Sequence, residues 1–302
     1  LNKNFKTQNS KLKMLSHLPT PRIILETLFP HLKVAAGYAR QIQAKIAARP
    51  AKEADSFFAA ALSDADLSIQ TMIEVVLLGT FPDLRFYGEE HEQSYNTKYF
   101  RAIDLGSEHD YLVTLDPIDG TRFYLDGHSN YQIILSVLNW DEFEAVIALT
   151  PAQNTYCYAL RGEGCWQGSL DTDFAACQPL RIGATSPTIL LGWGMEAIAP
   201  RLRHHYSVIA VATDYSPDLQ IPTVNGILNG ELAGAVLRSG SWIDSAALAF
   251  MAQEAGCIVT ALDGNPPLPL HRCSDYRRSG LLVAASSSVH QHLLAAVQGV
   301  TM

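Results

Sequence analysis

Apolar residues recur along the chain with two different periods, and the change from one to the other divides it into elements. From Thr20 the spacing is helical: Ile23, Ile24, Leu28, Leu32, Ala35, Ala36, Tyr38 and Ile42 continue one amphipathic pattern, with Thr20 as a capping hydroxyl and Pro21 at the first helical position. Pro30 falls inside this stretch and is expected to kink or divide the helix. A second helix is predicted from Ser63 to Gly79, with Asp64 and Asp66 at the positive end of its dipole and Leu67, Met72, Ile73 and Val76 along it. Strand texture follows. Arg85 to Tyr87 reads as a short strand ending in Gly88-Glu89-Glu90, and Tyr111 to Leu115 as a buried strand that stops at Asp116-Pro117. Apolar runs at 131–138, 143–149 and 155–160, separated by Asn-Trp-Asp and Pro-Ala-Gln-Asn, predict an antiparallel meander.

After Leu180 strands alternate with helices. Strand-like runs lie at 188–191, 207–212, 234–237, 258–261 and 281–285, and helical spacing at 245–255 and 289–297. This order predicts a loose tail over residues 1–19, an N-terminal α+β lobe over 20–182 and a C-terminal α/β lobe over 183–302 that meets it.

Composition narrows the function classes. With 302 residues, 48% of them hydrophobic and 17% charged, the chain is that of a globular α/β protein. Its 22 basic and 30 acidic residues give a net charge of −8, and no basic patch interrupts it, which argues against a nucleic-acid polymer or an anionic membrane as partner. No apolar run is long enough to cross a bilayer, so a cytoplasmic protein is expected. The five cysteines are scattered without CxxC spacing and read as reduced thiols.

The candidate chemistry is carboxylate. Gly88-Glu89-Glu90, Asp116-Pro117-Ile118-Asp119-Gly120-Thr121 and Ser241-Trp242-Ile243-Asp244 all place acids at strand ends or helix starts. Proline holds the preceding Asp116 extended, and the turn returns Asp119 to the same side, so both acids can face one point. Gly120 lets backbone approach a ligand, the amides from Asp119 to Thr121 offer a cradle for phosphate oxygens, and Thr121 adds a hydroxyl. Two carboxylates at about 4 Å repel by roughly 4 kcal/mol at an effective dielectric of 20. A hard divalent cation removes that cost, and an oxygen-only donor set points to Mg²⁺ rather than zinc. As turn residues or caps any one of these stretches would be unremarked; it is their combination that signifies.

Together they resemble the signature of the inositol monophosphatase superfamily: GEE, then DPIDGT, then an aspartate opening an Ala-rich helix that ends in Glu254-Ala255-Gly256. Ser63-Asp64-Ala65-Asp66 resembles the family's T-x-A-D helix start, and Pro151 to Asn154 with Arg161 to Gly164 its hairpin region, so the likeness spans about residues 20–298. The resemblance implies a layered α-β-α-β-α sandwich of the inositol monophosphatase and fructose bisphosphatase type. It implies that Glu89, Asp116, the Ile118 carbonyl, Asp119 and Asp244 hold two or three Mg²⁺ ions. Glu90 would be a supporting acid, Asp66 and Thr121 would activate water, and Asp119, Gly120 and Thr121 would contact the substrate phosphate. The implied reaction is in-line hydrolysis of a small phosphate monoester, inositol monophosphate by default with a sugar bisphosphate or 3′-nucleotide phosphatase of the same superfamily as the alternative, in a lithium-sensitive homodimer.

This chain departs from the pattern in places. Ile243 separates Trp242 from Asp244, Lys52 is the nearest candidate for a lysine upstream of T-x-A-D, and Val224 to Gly230 replaces a substrate-binding Gly-Ser segment. Other readings fit less well. Asp116 and Asp119 are three apart, unlike the DxDxT of haloacid dehalogenase-like phosphatases; EF-hand and P-loop spacings are absent; and Gly162, Gly164 and Gly168 suit a hairpin turn better than a nucleotide fingerprint. A catalytically silent binding protein on the same fold is the alternative from another class. His91 is a candidate substrate contact, and His204-His205 reads as surface.

Overall fold

The computed structural model describes residues 18–46, 63–90 and 103–299. Most of the expected tail, Lys52 and His91 lie outside the described residues.

Thr20 accepts from the Ile23 amide and opens α1 (Pro21–Ile42). Pro30 does not divide this helix. It lies on the exposed side, as does Glu26, whose carbonyl loses its intrahelical donor, while the opposite stripe from Ile24 to Ala39 stays packed. That stripe is rotated from the expected one: Leu25 and Phe29 are buried, and Ile23 and Tyr38 are exposed. A capping box starts α2 (Asp64–Thr80), in which Ser63 Oγ accepts from the Asp66 amide and the Asp66 carboxylate accepts from the Ser63 amide.

The first sheet has seven strands in chain order: β1 (Arg85–Gly88), β2 (Leu112–Asp119), β3 (Gln132–Leu138), β4 (Phe143–Thr150), β5 (Thr155–Leu160), β6 (Gly164–Ser169) and β7 (Gln178–Leu180). Only β1 and β2 run parallel. Gly162 and Gly164 turn the β5–β6 hairpin, both at positive φ. Contrary to the expected stop at Asp116-Pro117, β2 continues to Asp119 by way of a bulge. It is followed by the one-turn helix α3 (Thr121–Leu125).

The second sheet holds β8 (Thr188–Leu191), β9 (Ser207–Ala210), β10 (Gly234–Ser241), β11 (Ile258–Ala261) and β12 (Arg277–Ala284), in the order β11-β12-β10-β8-β9. Its helices are α4 (Ala199–Leu202), α5 (Val211–Asp214), α6 (Ser245–Glu254) and α7 (Ser287–Gln298). Strands β10 and β12 run past their apolar halves, because ladder pairing such as Ser239 with Ser279 and Ser241 with Arg277 needs no apolar side chain.

Alternation along the strands stacks these parts into layers. Val113, Leu115, Ile133, Leu135 and Ile147 face the buried stripes of α1 and α2. Leu112, Ile134, Val146 and Ala148 face the other way, onto α6 and onto Leu190, Ala235, Leu237, Leu281 and Val283 of the second sheet. The far side of that sheet, with Ile189, Leu191, Val236 and Leu282, is covered by α4 and α7. The order is helices, sheet, helix, sheet, helices, the mixed layered α/β fold expected. Both faces of the central strands are buried, which is why they read as unbroken apolar runs.

Candidate metal and phosphate site

The bulge in β2 sets the geometry. Asp116 pairs with Ile134 and Asp119 with Gln132, so three steps along β2 match two along β3. In a regular strand an odd separation would send the two side chains to opposite faces. The extra residue restores parity and brings both to the face that looks toward the second sheet. The Glu89 amide donates to Leu115 O at 3.0 Å, which carries the β1 pairing one residue further and sets Glu89 beside Asp116. Gly120 takes φ +81°, a conformation that favours glycine, and turns the chain into α3. From the other side Asp244 caps α6 by accepting from the Ser245 amide.

Glu89, Asp116, Ile118, Asp119, Gly120, Thr121 and Asp244 all line one cavity of about 900 Å³. Asp66 and Glu90 stand behind this wall, both buried. Thr121 Oγ1 lies 3.1 Å from Asp66 Oδ1 and 3.0 Å from Ile118 O, so the hydroxyl links the cavity to the buried acid. Gln70 Oε1 accepts from the Glu90 amide at 2.8 Å and fixes the turn after β1.

The acids oppose one another. Burial, followed by Glu89, Asp119 and Asp244, pushes the Asp116 carboxyl well above the usual range. Burial and then Asp244 and Glu89 raise Asp119 to about 8. Asp66 is raised to about 7, mainly by burial, with Ser63 pulling the other way. Burial also raises Asp244, against the opposing hydrogen bonds of Ser245 and the charge of Arg277. Asp116 Oδ1 is buried without a hydrogen-bond partner among the described residues. Crowded carboxylates with an orphaned oxygen and only oxygen donors fit a hard divalent cation. Among the described residues no three His, Cys, Asp or Glu side chains are already drawn into a coordination cage. The fit therefore rests on donor chemistry and charge crowding.

The sequence profile of the inositol monophosphatase family matches residues 25–302. The chain belongs to that family. A candidate Nus factor SuhB of Neisseria meningitidis serogroup A is 24% identical over 245 residues, covering 77% of this chain and 82% of that protein. Among solved structures, a staphylococcal inositol monophosphatase-1 in a LiCl-soaked inhibitory complex is 16% identical with a TM-score of 0.67, covering 93% of this chain and 96% of that one. An inositol monophosphatase/NADP phosphatase complexed with Mg²⁺ and phosphate is also 16% identical, with a TM-score of 0.65, covering 90% and 94%. At that identity the two structures speak for the fold.

This member of the inositol monophosphatase family also has cavity residues that reading the sequence missed: Arg122, Trp193, Thr223, Arg238 and Arg277. Arg122 directly follows the DGT stretch, and Gly192-Trp193-Gly194 is a turn signal at the end of a strand, so both were within reach of local inspection. Arg238 and Arg277 carry no local signal, because only the pairing of β10 with its neighbours brings them to the cavity. The atypical segment reaches the same space through Val224, in a short 3₁₀ turn from Val224 to Ile227. The cysteines are free thiols, His204 and His205 are exposed, and no described helix is long and apolar enough to cross a membrane.

Proposed function

We propose that this chain is a Mg²⁺-dependent phosphatase that hydrolyses a small phosphate monoester, with inositol monophosphate as the default substrate, by in-line attack of water. The reading rests on one observation: Glu89, Asp116, Asp119 and Asp244, from distant parts of the chain, line a single cavity beside Gly120 and Thr121. Glu89, Asp116, the Ile118 carbonyl, Asp119 and Asp244 would hold two or three Mg²⁺ ions, which when bound supply positive charge to acidify water and to neutralise the phosphate.

The protein's own groups do the rest. Thr121 Oγ1, held between Asp66 and the Ile118 carbonyl, offers a lone pair to the attacking water and passes its own proton to Asp66 Oδ1. Burial raises the proton affinity of the Asp66 carboxyl in the metal-free protein, and bound cations would lower it again, so both set how readily it takes the proton. The amides of Gly120 and Thr121, at the start of α3, meet the phosphate oxygens. Burial is the main cause that keeps Asp66 basic, and Glu89 and then Glu90, whose amide Gln70 anchors, add to it.

Phosphate release from p-nitrophenyl phosphate, with and without Mg²⁺, tests the reading. Turnover that requires Mg²⁺ and is lowered by millimolar-scale Li⁺ is the expected result. The SuhB-named relative motivates a second reading, a binding protein that keeps the site without using it; absence of release across a broad panel of phosphate esters would favour that one.

A further inference from the structure

Four residue pairs tie the loop after α3 to the segment that follows α5. The Tyr215 hydroxyl donates to Asp126 Oδ2. His128 Nε2 donates to the Pro217 carbonyl at 2.8 Å, the ring nitrogen being the donor because a carbonyl only accepts. Gln220 Oε1 accepts from the Ser129 amide at 2.8 Å and from its hydroxyl at 3.0 Å. Asn130 Nδ2 donates to the Ile221 carbonyl at 2.8 Å. The partners advance in step, so the two stretches run alongside each other as a clasp. One lies between α3 and β3 of the first sheet, the other between α5 and β10 of the second. Each continues into the cavity wall, the first through Arg122 and the second through Pro222, Thr223 and Val224.

The second stretch owes its place to the clasp. Residues 217–220 are exposed, and within 216–220 the backbone supplies one bond among the described residues, from the Leu219 amide to Ser216 O at 3.1 Å. On the other side the anchors are rigid. His128 and Asn130 are buried, and Asp126, at the C-terminal end of α3, also accepts both prongs of Arg122 at 2.9 Å each. Beyond the clasp, Pro222 abuts Gly226, where a Cβ would come within 3.2 Å of the proline's own, and Ile227 is fully buried. The wall from Pro222 to Val224 is therefore strung between two fixed points.

We propose that the clasp sets the width of the space open to the organic part of the ester. It holds that wall at a set distance from the amides of Gly120 and Thr121, which open the same helix that Asp126 closes. Asp126 and Asn130, neither of which lines the cavity, are positioning residues that select substrate by size. A ring ester long enough to meet both the amides and the wall feels the clasp; a three-carbon ester does not. This rests on the phosphatase reading and adds what chooses among its substrates.

Two exchanges of amide for carboxylate separate the ties from their charge. Asn130→Asp sets an acceptor against the Ile221 carbonyl and breaks that tie, whereas Gln220→Glu keeps the oxygen to which Ser129 donates. Tyr215→Phe removes one hydroxyl and serves if Asn130→Asp does not fold. Backbone hydrogen exchange over residues 215–228 of the full chain should be about tenfold faster in Asn130→Asp and Tyr215→Phe, and unchanged in Gln220→Glu. At fixed Mg²⁺ the first two variants should raise KM for inositol 1-phosphate about three- to tenfold with kcat held, the scale of one neutral hydrogen bond, and leave glycerol 2-phosphate within about twofold. Where an ester is bound but not turned over, its Kd from calorimetric titration takes the place of KM. Exchange unchanged in the first two variants, or raised equally by Gln220→Glu, overturns the clasp. Faster exchange with both esters affected alike, or neither, overturns its part in selection and leaves the phosphatase reading intact. If the wild-type protein releases phosphate from neither ester nor from p-nitrophenyl phosphate, the phosphatase reading fails instead, and absence of binding by both esters overturns the selection as well.

Discussion

Asp116 shows in one side chain what the whole site contends with. It is buried, crowded by four other acids, and one of its oxygens lacks a partner among the described residues. Replacing it by asparagine removes a ligand charge without opening a hole. Asp116→Asn should therefore lower kcat/KM on an aryl phosphate by about 100-fold or more. Thermal unfolding in chelator should leave the melting temperature equal to the wild-type value or higher, because one repelling charge is gone. The same crowding has a pH signature. Asp66 and Asp119 are raised to about 7 and about 8, against roughly 3.9 in an unfolded chain. Between these limits the unfolded state has released protons that the folded state still holds, so stability falls as pH rises. In chelator the melting temperature should drop from pH 5 to pH 8, Asp119→Asn should flatten that slope, and Mg²⁺ should restore stability at pH 8. A flat wild-type profile in chelator would show that these acids are not crowded in solution.

At the scale of elements, the sequence disclosed most of the machinery but not how it is set. The cap at Thr20, the start of α2 near Ser63, the meander and the succession of strands and helices along the second half were legible, because each depends on neighbours in the chain. The course of β2 past Pro117 was not, since the bulge exists only in relation to β3. Nor was the contact between α2 and the turn after β1, where Gln70 accepts from the Glu90 amide across a sequence separation of 20. Gln70→Leu should leave that buried amide unpaired, cost about 1–3 kcal/mol in chemical denaturation, and lower phosphatase activity more than a control substitution of equal cost. Lowered stability with activity untouched would show that the turn does not need this anchor. Arg238 was missed for the same kind of reason as the bulge: it occupies an unremarkable position in a strand until the loop at Gly194 comes up against its side chain.

Across the whole molecule, α6 is packed between the two sheets and bears Asp244 at its first turn. Its buried Ala246, Ala247, Ala249 and Ala252 give it a slender girth. Ala247→Leu should overfill that layer, cost about 1–3 kcal/mol in denaturant unfolding, and depress turnover although the residue never meets substrate. Normal turnover in a destabilised variant would show that the sheets absorb the strain elsewhere. The helix thus works as a shim. Its thickness bears on the gap across which Glu89, Asp116 and Asp119 of the first sheet confront Asp244 at the head of the helix, so the width of the cavity is gauged by alanine methyl groups that do not line it.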